Sequence, residues 1–431
     1  MLKSENKIGL WSAVGIGVGA MIGAGIFALM GQAGAIAGKA VYISFILGGI
    51  VAAISGYSLA KLGARFPAAG GIVEYVSQAF GVNVFSGGIS VLLYLSSIIA
   101  LALLAKAFGS YAAVLFNLKG SLIYTNVFAL SIMAILGIIQ YFGVKKVVKF
   151  ENVAIIITIV ILVVFATVGL IYLKPELMAP ALYPSSNKIF FCIAITFFSY
   201  EGFRIITHTA EDIAHPEKNL MRAIFISIGI AMVIYTALAY AVFGNLEVGK
   251  VIEAKNYALA EASKPIFGAI GFTIISITAL FSTSSSINAV LYATNNISYQ
   301  MAKDGEFPSF FAKKIGLSRV GLFVSLVATA LLILFLDLLQ IAAVGSITLL
   351  FIHAVTHLGH LKIIDKTKAS KFLVVTALLL TLTVIVLFLI YSIKDSYTIL
   401  FLFVGILSLS FLLELTTRLI INRKGAKGNP K

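Results

Sequence analysis

The sequence predicts an all-α membrane protein with twelve transmembrane helices, on the basis of its composition, its apolar segments and its charge distribution. Of its 431 residues, 60% are hydrophobic and 11% are charged, and the mean hydropathy is +1.05. Soluble domains carry about 25% charged residues, so this composition excludes a soluble protein. The single cysteine, Cys192, excludes an internal disulfide.

The chain divides into twelve apolar segments separated by short polar connections. A membrane-spanning helix needs about 20 apolar residues, and most of the segments reach that length. Segments one, three and eight exceed it, so we expect a tilt or a break in each of those helices. The segments cover residues 9–36, 41–62, 83–115, 123–142, 148–173, 189–209, 221–243, 266–300, 320–336, 339–361, 372–393 and 397–421.

The basic residues orient these segments in the membrane. Of the 32 Lys and Arg residues, 22 lie at the two ends of the chain and in the connections on the same side. Eight lie in the connections on the other side, and Lys106 and Arg204 lie within segments. Because cytoplasmic loops are enriched in Lys and Arg, we expect a multi-pass protein of the cell membrane with both termini in the cytoplasm. The net charge of +15 therefore reflects membrane topology and not a nucleic-acid partner.

Glycines interrupt two of the segments. Residues 17–27 of segment one contain four glycines, and Gly202 of segment six is flanked by Glu201, Phe203 and Arg204. Glycine is unfavourable inside a helix, so both patterns predict a break. The two segments are five crossings apart, and paired broken helices at matching positions are typical of inverted-repeat secondary transporters. The alternative is that the glycines only allow close helix packing.

Four motifs, in order along the chain, resemble those of permeases of the amino acid–polyamine–organocation (APC) superfamily. The resemblance extends over residues 8–420 and is closest to the prokaryotic broad-specificity amino acid permeases. The motifs are IGAGIF at 22–27, GARFPAAGG at 63–71, FSYEGF at 198–203 with AED at 210–212 and PEKN at 216–219, and FSTSS at 281–285 with MAKDGEFP at 301–308.

This resemblance implies a five-plus-five inverted repeat with discontinuous helices one and six and two extra C-terminal helices. The repeats would occupy residues 1–175 and 176–364, and residues 365–431 would hold the extra helices and a short basic tail. The implied function is secondary active transport of an amino acid across the lipid bilayer by alternating access. We expect no enzymatic activity, catalytic residues, cofactor or metal site. A membrane-embedded enzyme and a non-transporting amino acid sensor are the alternatives from other functional classes.

The resemblance also implies where the substrate binds. Backbone N–H groups at Gly23, Ala24 and Gly25 would hold the substrate carboxylate at the positive end of a half-helix. The carbonyls of Met21 and two residues of segment six would accept hydrogen bonds from the ammonium group, and Phe198 would close over the side chain. The predicted substrate site comprises Met21, Ile22, Gly23, Ala24, Gly25, Ile26, Phe198, Ser199, Glu201 and Gly202.

The sequence also offers candidates for the coupling of transport to an ion. Some of these permeases carry a lysine in helix five at a position that aligns with Thr158 here. The hydroxyls of Thr158, Ser282, Ser284 and Ser285 are therefore candidates for a Na⁺ site, or they bond carbonyls of their own helices. Because hydroxyls bring no negative charge, we favour proton coupling or exchange (symport or antiport) over sodium symport.

Charged residues within a membrane segment are candidates for function. Glu201 and Arg204 are three residues apart and are expected to form an ion pair, either as a gate or as a structural element. Alternatively, Glu201 recognises a cationic substrate side chain. His353, His357 and His360 recur at i, i+4 and i+7 in segment ten. We interpret them as a polar stripe at the membrane interface in preference to a metal site.

Overall fold

The structure is a computed structural model of the chain, and it describes residues 7–68, 70–118, 120–142, 147–303, 307–315 and 318–427. These residues are mostly helical. The helices are α1 (Leu10–Met21), α2 (Phe27–Ala37), α3 (Val41–Arg65), α4 (Ile72–Phe80), α5 (Val84–Leu115), α6 (Leu122–Tyr141), α7 (Val147–Ile171), α8 (Ser186–Ser199), α9 (Phe203–His208), α10 (Pro216–Phe243), α11 (Val248–Glu253), α12 (Ala258–Lys303), α13 (Val320–Phe335), α14 (Leu338–Lys362), α15 (Ile364–Thr367), α16 (Lys371–Asp395) and α17 (Tyr397–Lys427).

Short elements connect several of these helices. A π-helical turn (Ile22–Ile26) joins α1 to α2, and 3-10 turns lie at Gly38–Ala40, Pro175–Met178, Pro180–Leu182 and Ser309–Ala312. Strands β1 (Lys314–Ile315) and β2 (Ser318–Arg319) pair antiparallel, with Lys314 opposite Arg319.

Each predicted apolar segment coincides with a helical stretch. Within the described ranges, nine helical stretches are long and apolar enough to cross a membrane by length and composition. Three shorter apolar helices accompany them, at Leu10–Met21, Ile155–Ile171 and Val320–Phe335. The protein is therefore a multi-pass membrane protein, as predicted.

The helices form an inner group and an outer group. Buried residues occupy most of α5 and α14, and α3 packs closely against α8 and α10. The outer helices α6, α16 and α17 expose large apolar side chains such as Ile123, Phe372 and Phe401. An apolar exterior of this kind is unsuited to water and suits contact with lipid tails.

The three overlong segments differ in how their length is accommodated. Segment three is one unbroken 32-residue helix, α5. In segment eight, α12 contains Pro265, and Gly268 has non-helical dihedral angles (φ 65°, ψ −156°), so this helix is kinked. Proline removes a helical hydrogen bond and glycine accepts a positive φ, which together account for the kink. Segment one contains the π-helical turn described below.

Two polar side chains connect neighbouring helices near segments one and six. Lys39, one of the eight basic residues in the connections of the second set, is buried, and its Nζ donates to the carbonyls of Phe243 (2.6 Å) and Leu246 (2.9 Å) at the end of α10. A cation there satisfies carbonyls that the helix leaves unpaired. Cys192 on α8 is buried, with its Sγ 3.4 Å from the carbonyl oxygen of Ala33 on α2.

Candidate functional site

We call predicted segments one and six the first and sixth crossings. The first, formed by α1, the π-helical turn and α2, remains helical through the predicted break. The turn covers Ile22–Ile26, and the residues flanking it, Met21 and Phe27, have right-handed helical dihedral angles. The expected unwound segment is thus replaced by a helical turn with i→i+5 hydrogen bonds. π-helical turns inside α-helices are frequent at functional sites.

Close backbone packing explains the glycines at this turn. A Cβ built on Gly25 would lie 2.6 Å from the carbonyl oxygen and 2.7 Å from the Cα of Ser199. A Cβ on Gly202 would overlap the backbone nitrogen of Met21, and one on Gly23 would overlap Oγ of Ser286. Small residues are what allow helices in a bilayer to approach this closely. The packing alternative therefore accounts for the glycines of segment one.

The sixth crossing is interrupted, as predicted. Helix α8 ends at Ser199 and α9 begins at Phe203, with Tyr200–Gly202 forming a turn between them. Its backbone bonds are of the i→i+3 type, from Glu201 N to the Phe198 carbonyl (3.2 Å) and from Arg204 N to the Glu201 carbonyl (3.1 Å). Two of the carbonyls expected to bind the substrate ammonium, those of Phe198 and Glu201, thus accept hydrogen bonds within the turn.

Aromatic residues surround the interrupted segment. The Tyr235 hydroxyl on α10 donates to the Ser199 carbonyl (3.1 Å), and the Tyr200 hydroxyl donates to the Phe45 carbonyl (2.8 Å). The ring of Phe198 packs against Gly345 of α14 and is 7% exposed. Tyr235 is a contact that sequence spacing does not reveal, because its partner belongs to a different helix.

Glu201 and Arg204 at the turn form the predicted pair, and His353 also contacts the carboxyl group of Glu201. Nε of Arg204 lies 3.3 Å from Oε2 of Glu201, and Nε2 of His353 lies 2.9 Å from Oε1. Neither contact meets the angular criteria of a hydrogen bond; the Arg204 contact is a close ion pair, and the His353 contact is a close approach of a ring nitrogen to the carboxyl group. His353 is fully buried and Glu201 is 8% exposed. The carboxylate thus has two nitrogen partners, and His353 is the one that sequence analysis missed.

The three histidines of α14 are inside the protein. His353, His357 and His360 are 0%, 0% and 1% exposed, so the interpretation as an interfacial stripe is wrong. Their i, i+4, i+7 spacing places them on one helical face, and that face packs toward Ser55 and Ser58 of α3. The signal for this contact is the pair of serines three residues apart in the otherwise apolar segment two.

One of the four hydroxyls proposed for ion coupling, that of Ser284, bonds a carbonyl of its own helix. Ser284 donates to the Leu280 carbonyl (2.6 Å), and the neighbouring Thr283 donates to the Ala279 carbonyl (2.6 Å). Such bonds within one helix are common for Ser and Thr in apolar surroundings. Thr158 on α7 and Ser282 are buried, while Ser285 is half-buried. Helix α7 packs against both α1 and α12, so Thr158 lies on a helix that borders the first crossing.

Comparison with known proteins identifies the family. The family model described as "Amino acid permease" matches residues 8–431. The chain belongs to the amino acid permease family. The resemblance of this permease to the APC superfamily is thereby confirmed.

Individual relatives align over most of the permease. An uncharacterized protein of Methanocaldococcus jannaschii is 38% identical over 390 residues, 90% of each chain. The inner membrane transport protein YbaT of Escherichia coli is 33% identical over 389 residues, 89% of each chain. The methylthioribose transporter of Bacillus subtilis is 29% identical over 321 residues, which are 69% of this chain and 67% of the relative.

The predicted substrate residues of the permease fall into contacting groups. The turn residues Gly23 and Gly25 meet Ser286 and Ser199, respectively, and Met21 meets Gly202. Ile22 and Ile26 are buried within the same turn. Ala24 belongs to the turn, but its side chain lies outside the described set. The first and sixth crossings are therefore in direct backbone contact at the predicted site.

Proposed function

We propose that the protein is a secondary active transporter that carries an amino acid across the cell membrane by alternating access. The observation that carries this proposal is the contact between the π-helical turn of the first crossing and the interrupted sixth crossing, beside the buried carboxylate of Glu201. Irregular backbone at membrane depth is tolerated where it lines a binding site. The family description supports an amino acid as the substrate.

In this proposal the chain has twelve crossings, with crossings 1–5 and 6–10 as inverted repeats and both termini in the cytoplasm. The repeats are residues 1–175 and 176–364, and residues 365–431 follow them. The first and sixth crossings would then be equivalent elements of the two repeats. Their contact at Gly25 and Ser199 would place the substrate site on the axis between the repeats, where such transporters bind their ligands.

The substrate would open the turn that the structure shows closed. The π-helical turn interrupts the regular i→i+4 hydrogen bonding of the α-helices on either side and is of a kind frequent at functional sites, so we expect the N–H groups at Gly23–Gly25 to become available here. These groups would bind the substrate carboxylate, and the carbonyls of Met21, Phe198 and Glu201 would accept bonds from its ammonium. Phe198, whose ring packs against Gly345, would cover the substrate side chain.

We propose proton coupling or exchange in preference to sodium symport. Ser284 donates to a carbonyl of its own helix, and Thr158 and Ser282 bring no charge to stabilise a cation. Glu201, by contrast, is a buried carboxylate that can carry a proton. Arg204 stays charged, so its role here is to hold the carboxylate.

The test uses purified protein in liposomes. Each of a panel of radiolabelled amino acids is offered under three conditions: unlabelled amino acid inside, an inward pH gradient, or an inward sodium gradient at clamped pH. We expect saturable uptake of at least one amino acid, unchanged by sodium. Phe198→Ala should reduce uptake well below wild type while preserving the yield of folded protein. Binding without flux under all three conditions would indicate a sensor, and stimulation by sodium alone would indicate sodium symport.

A further inference from the structure

A row of hydrogen-bonded imidazole and hydroxyl groups leads from His353, which contacts Glu201, past the end of α14. His353 Nδ1 lies 3.0 Å from Ser55 Oγ, which lies 2.6 Å from His357 Nε2. His357 Nδ1 lies 2.9 Å from Ser58 Oγ, which lies 2.8 Å from His360 Nδ1. His360 Nε2 then lies 2.8 Å from the hydroxyl of Thr367 on α15. We call this row the histidine–serine row; it comprises His353, Ser55, His357, Ser58, His360 and Thr367.

The row lies inside the protein along its whole length. Its members are at most 1% exposed except Thr367, which is 8% exposed. Burying five polar side chains between two apolar helices is unfavourable unless each has a hydrogen-bond partner. The three imidazoles on one face of α14 alternate with the hydroxyls of Ser55 and Ser58 on α3, and each group thereby gains a partner from the other helix.

The direction of each hydrogen bond follows from the far end of the row. The Thr367 hydroxyl donates to the Ile364 carbonyl (2.9 Å), so it accepts from Nε2–H of His360. A neutral imidazole has one N–H group, so His360 Nδ1 must accept from Ser58, and Ser58 must accept from Nδ1–H of His357. By the same rule His357 Nε2 accepts from Ser55, and Ser55 accepts from Nδ1–H of His353.

At the start of the row, Nε2 of His353 is the one ring nitrogen without a partner inside the row. In the bond directions given above, Nε2 of a neutral His353 carries no proton and faces Oε1 of Glu201 at 2.9 Å, so a protonated Glu201 that turns its O–H toward this nitrogen can pass its proton to it. The two groups therefore share one proton, and every bond beyond them donates away from Glu201.

We propose that the histidine–serine row is the proton pathway that connects the substrate site with the cytoplasm. This inference rests on the proposed transport function and names its coupling route. A proton that reaches Glu201 passes to Nε2 of His353, while the Nδ1 proton moves to Ser55 and the Ser55 proton moves to His357. The same two transfers through Ser58 charge His360, which releases its Nε2 proton to water beside Thr367. Ring and hydroxyl rotations then restore the starting tautomers.

The surroundings of the row suit this role. The end at Thr367 carries Lys362, Lys366 and Lys368, which marks it as cytoplasmic by the distribution of basic residues. The rings of Phe197 and Phe203 pack on His353 and separate it from other polar groups on that side. The charged groups that face the imidazoles are Glu201 and, behind it, Arg204.

Several other charged side chains on α14 and on the helices packed against it have partners elsewhere. Lys362 lies over the ring of Phe80 and Lys61 over that of Tyr57. Further contacts of this kind are Arg65 with the Lys366 carbonyl, Glu74 with Gln78, Lys106 with Asn126, and Glu414 with Arg418. These groups act on the row only through their electrostatic field, so proton transfer along the row depends on its own side chains.

The experiment compares two kinds of flux in liposomes that contain full-length protein. Amino acid exchange at equal pH needs no net proton movement, whereas accumulation driven by a pH gradient, followed with an internal pH dye, does. We expect His357→Gln and Ser58→Ala to keep exchange close to wild type. In both variants, the accumulation driven by the pH gradient and the proton flux induced by substrate should fall by about tenfold or more, because a relay group contributes at least that much to proton transfer.

A matched control and clear outcomes complete the test. Thr356 neighbours His357 but bonds the Ile352 carbonyl of its own helix, so Thr356→Val should leave both fluxes intact. If Ser58→Ala and His357→Gln accumulate amino acid as well as the wild-type protein does, the proton pathway is overturned. An equal loss of exchange and accumulation in both variants would also overturn it, because that result indicates a structural role. If the wild-type protein exchanges amino acids but moves no protons, the proton pathway alone is overturned. If the wild-type protein moves no amino acid at all, the proposed function itself is overturned.

Discussion

The first and sixth crossings both carry glycine near the middle of an apolar segment, yet they use it differently. In the first crossing the helix continues through a π-helical turn, and the glycines accept the backbone of Ser199 and the side chain of Ser286. In the sixth, the helix stops at Ser199 and resumes at Phe203, and the turn between them exposes a carboxylate to His353. One crossing supplies close packing and the other supplies charge.

This difference shows that glycine content alone does not distinguish a packed helix from an interrupted one. What separates the two is the chemistry of the flanking residues. Gly23 and Gly25 stand among apolar residues with no competing polar side chain, so the helix is retained. Gly202 stands between Glu201 and Arg204, whose ion pair forms across the turn itself.

The largest expected effect separates the two partners of the ion pair in the sixth crossing. Glu201→Leu leaves Arg204 without the carboxylate that the described structure places beside it. Removing one partner of a buried pair costs about 3–5 kcal/mol of stability. Arg204→Leu should cost less, because His353 still contacts Glu201. Thermal unfolding in detergent at neutral pH measures both, and equal losses would show that His353 does not stabilise the carboxylate.

The next effect tests the backbone contact between the two crossings. Gly25→Ala and Gly202→Ala each place a Cβ against backbone atoms that cannot rotate away, so we expect each to cost about 1–3 kcal/mol and to reduce transport. Gly15→Ala is the control in the same crossing, since a Cβ there meets nothing within 4 Å. If the three variants unfold at the same temperature, the crossings are not in close backbone contact.

The smallest effect concerns a contact that can be relieved. A Cβ on Gly23 meets Oγ of Ser286, the mobile end of a side chain, so Gly23→Ala should destabilise by about 1 kcal/mol. The double variant with Ser286→Ala removes the overlapping atom, and we expect it to recover most of that loss. Additive losses in this double-mutant cycle would place the strain elsewhere.

The sequence predicted the helices well because each depends on local composition. All twelve apolar segments coincide with helical stretches, and the interruption near Gly202 is at the expected place. The ion pair of Glu201 and Arg204 was also predictable, because i,i+3 neighbours share a helical face. The inverted repeat and the substrate residues stay predictions.

Contacts between distant parts of the chain were harder to predict. The three histidines were interpreted as interfacial because they lie near Lys362, although their partners are serines about 300 positions earlier in the chain. The π-helical turn was missed for a similar reason. Whether glycines open a helix or only re-register it depends on what packs against them, and Ser199 and Ser286 belong to other helices.

The position of Cys192 has a practical consequence for watching this molecule move. It is the only thiol in the chain, and it is buried between α8 and α2 with its sulfur facing the Ala33 carbonyl. Maleimide reagents react with accessible thiolates, so the natural thiol should stay silent. Pairs of engineered surface cysteines can therefore carry fluorescent or spin labels without first removing Cys192, and distances between the crossings can be followed during turnover in otherwise unmodified protein.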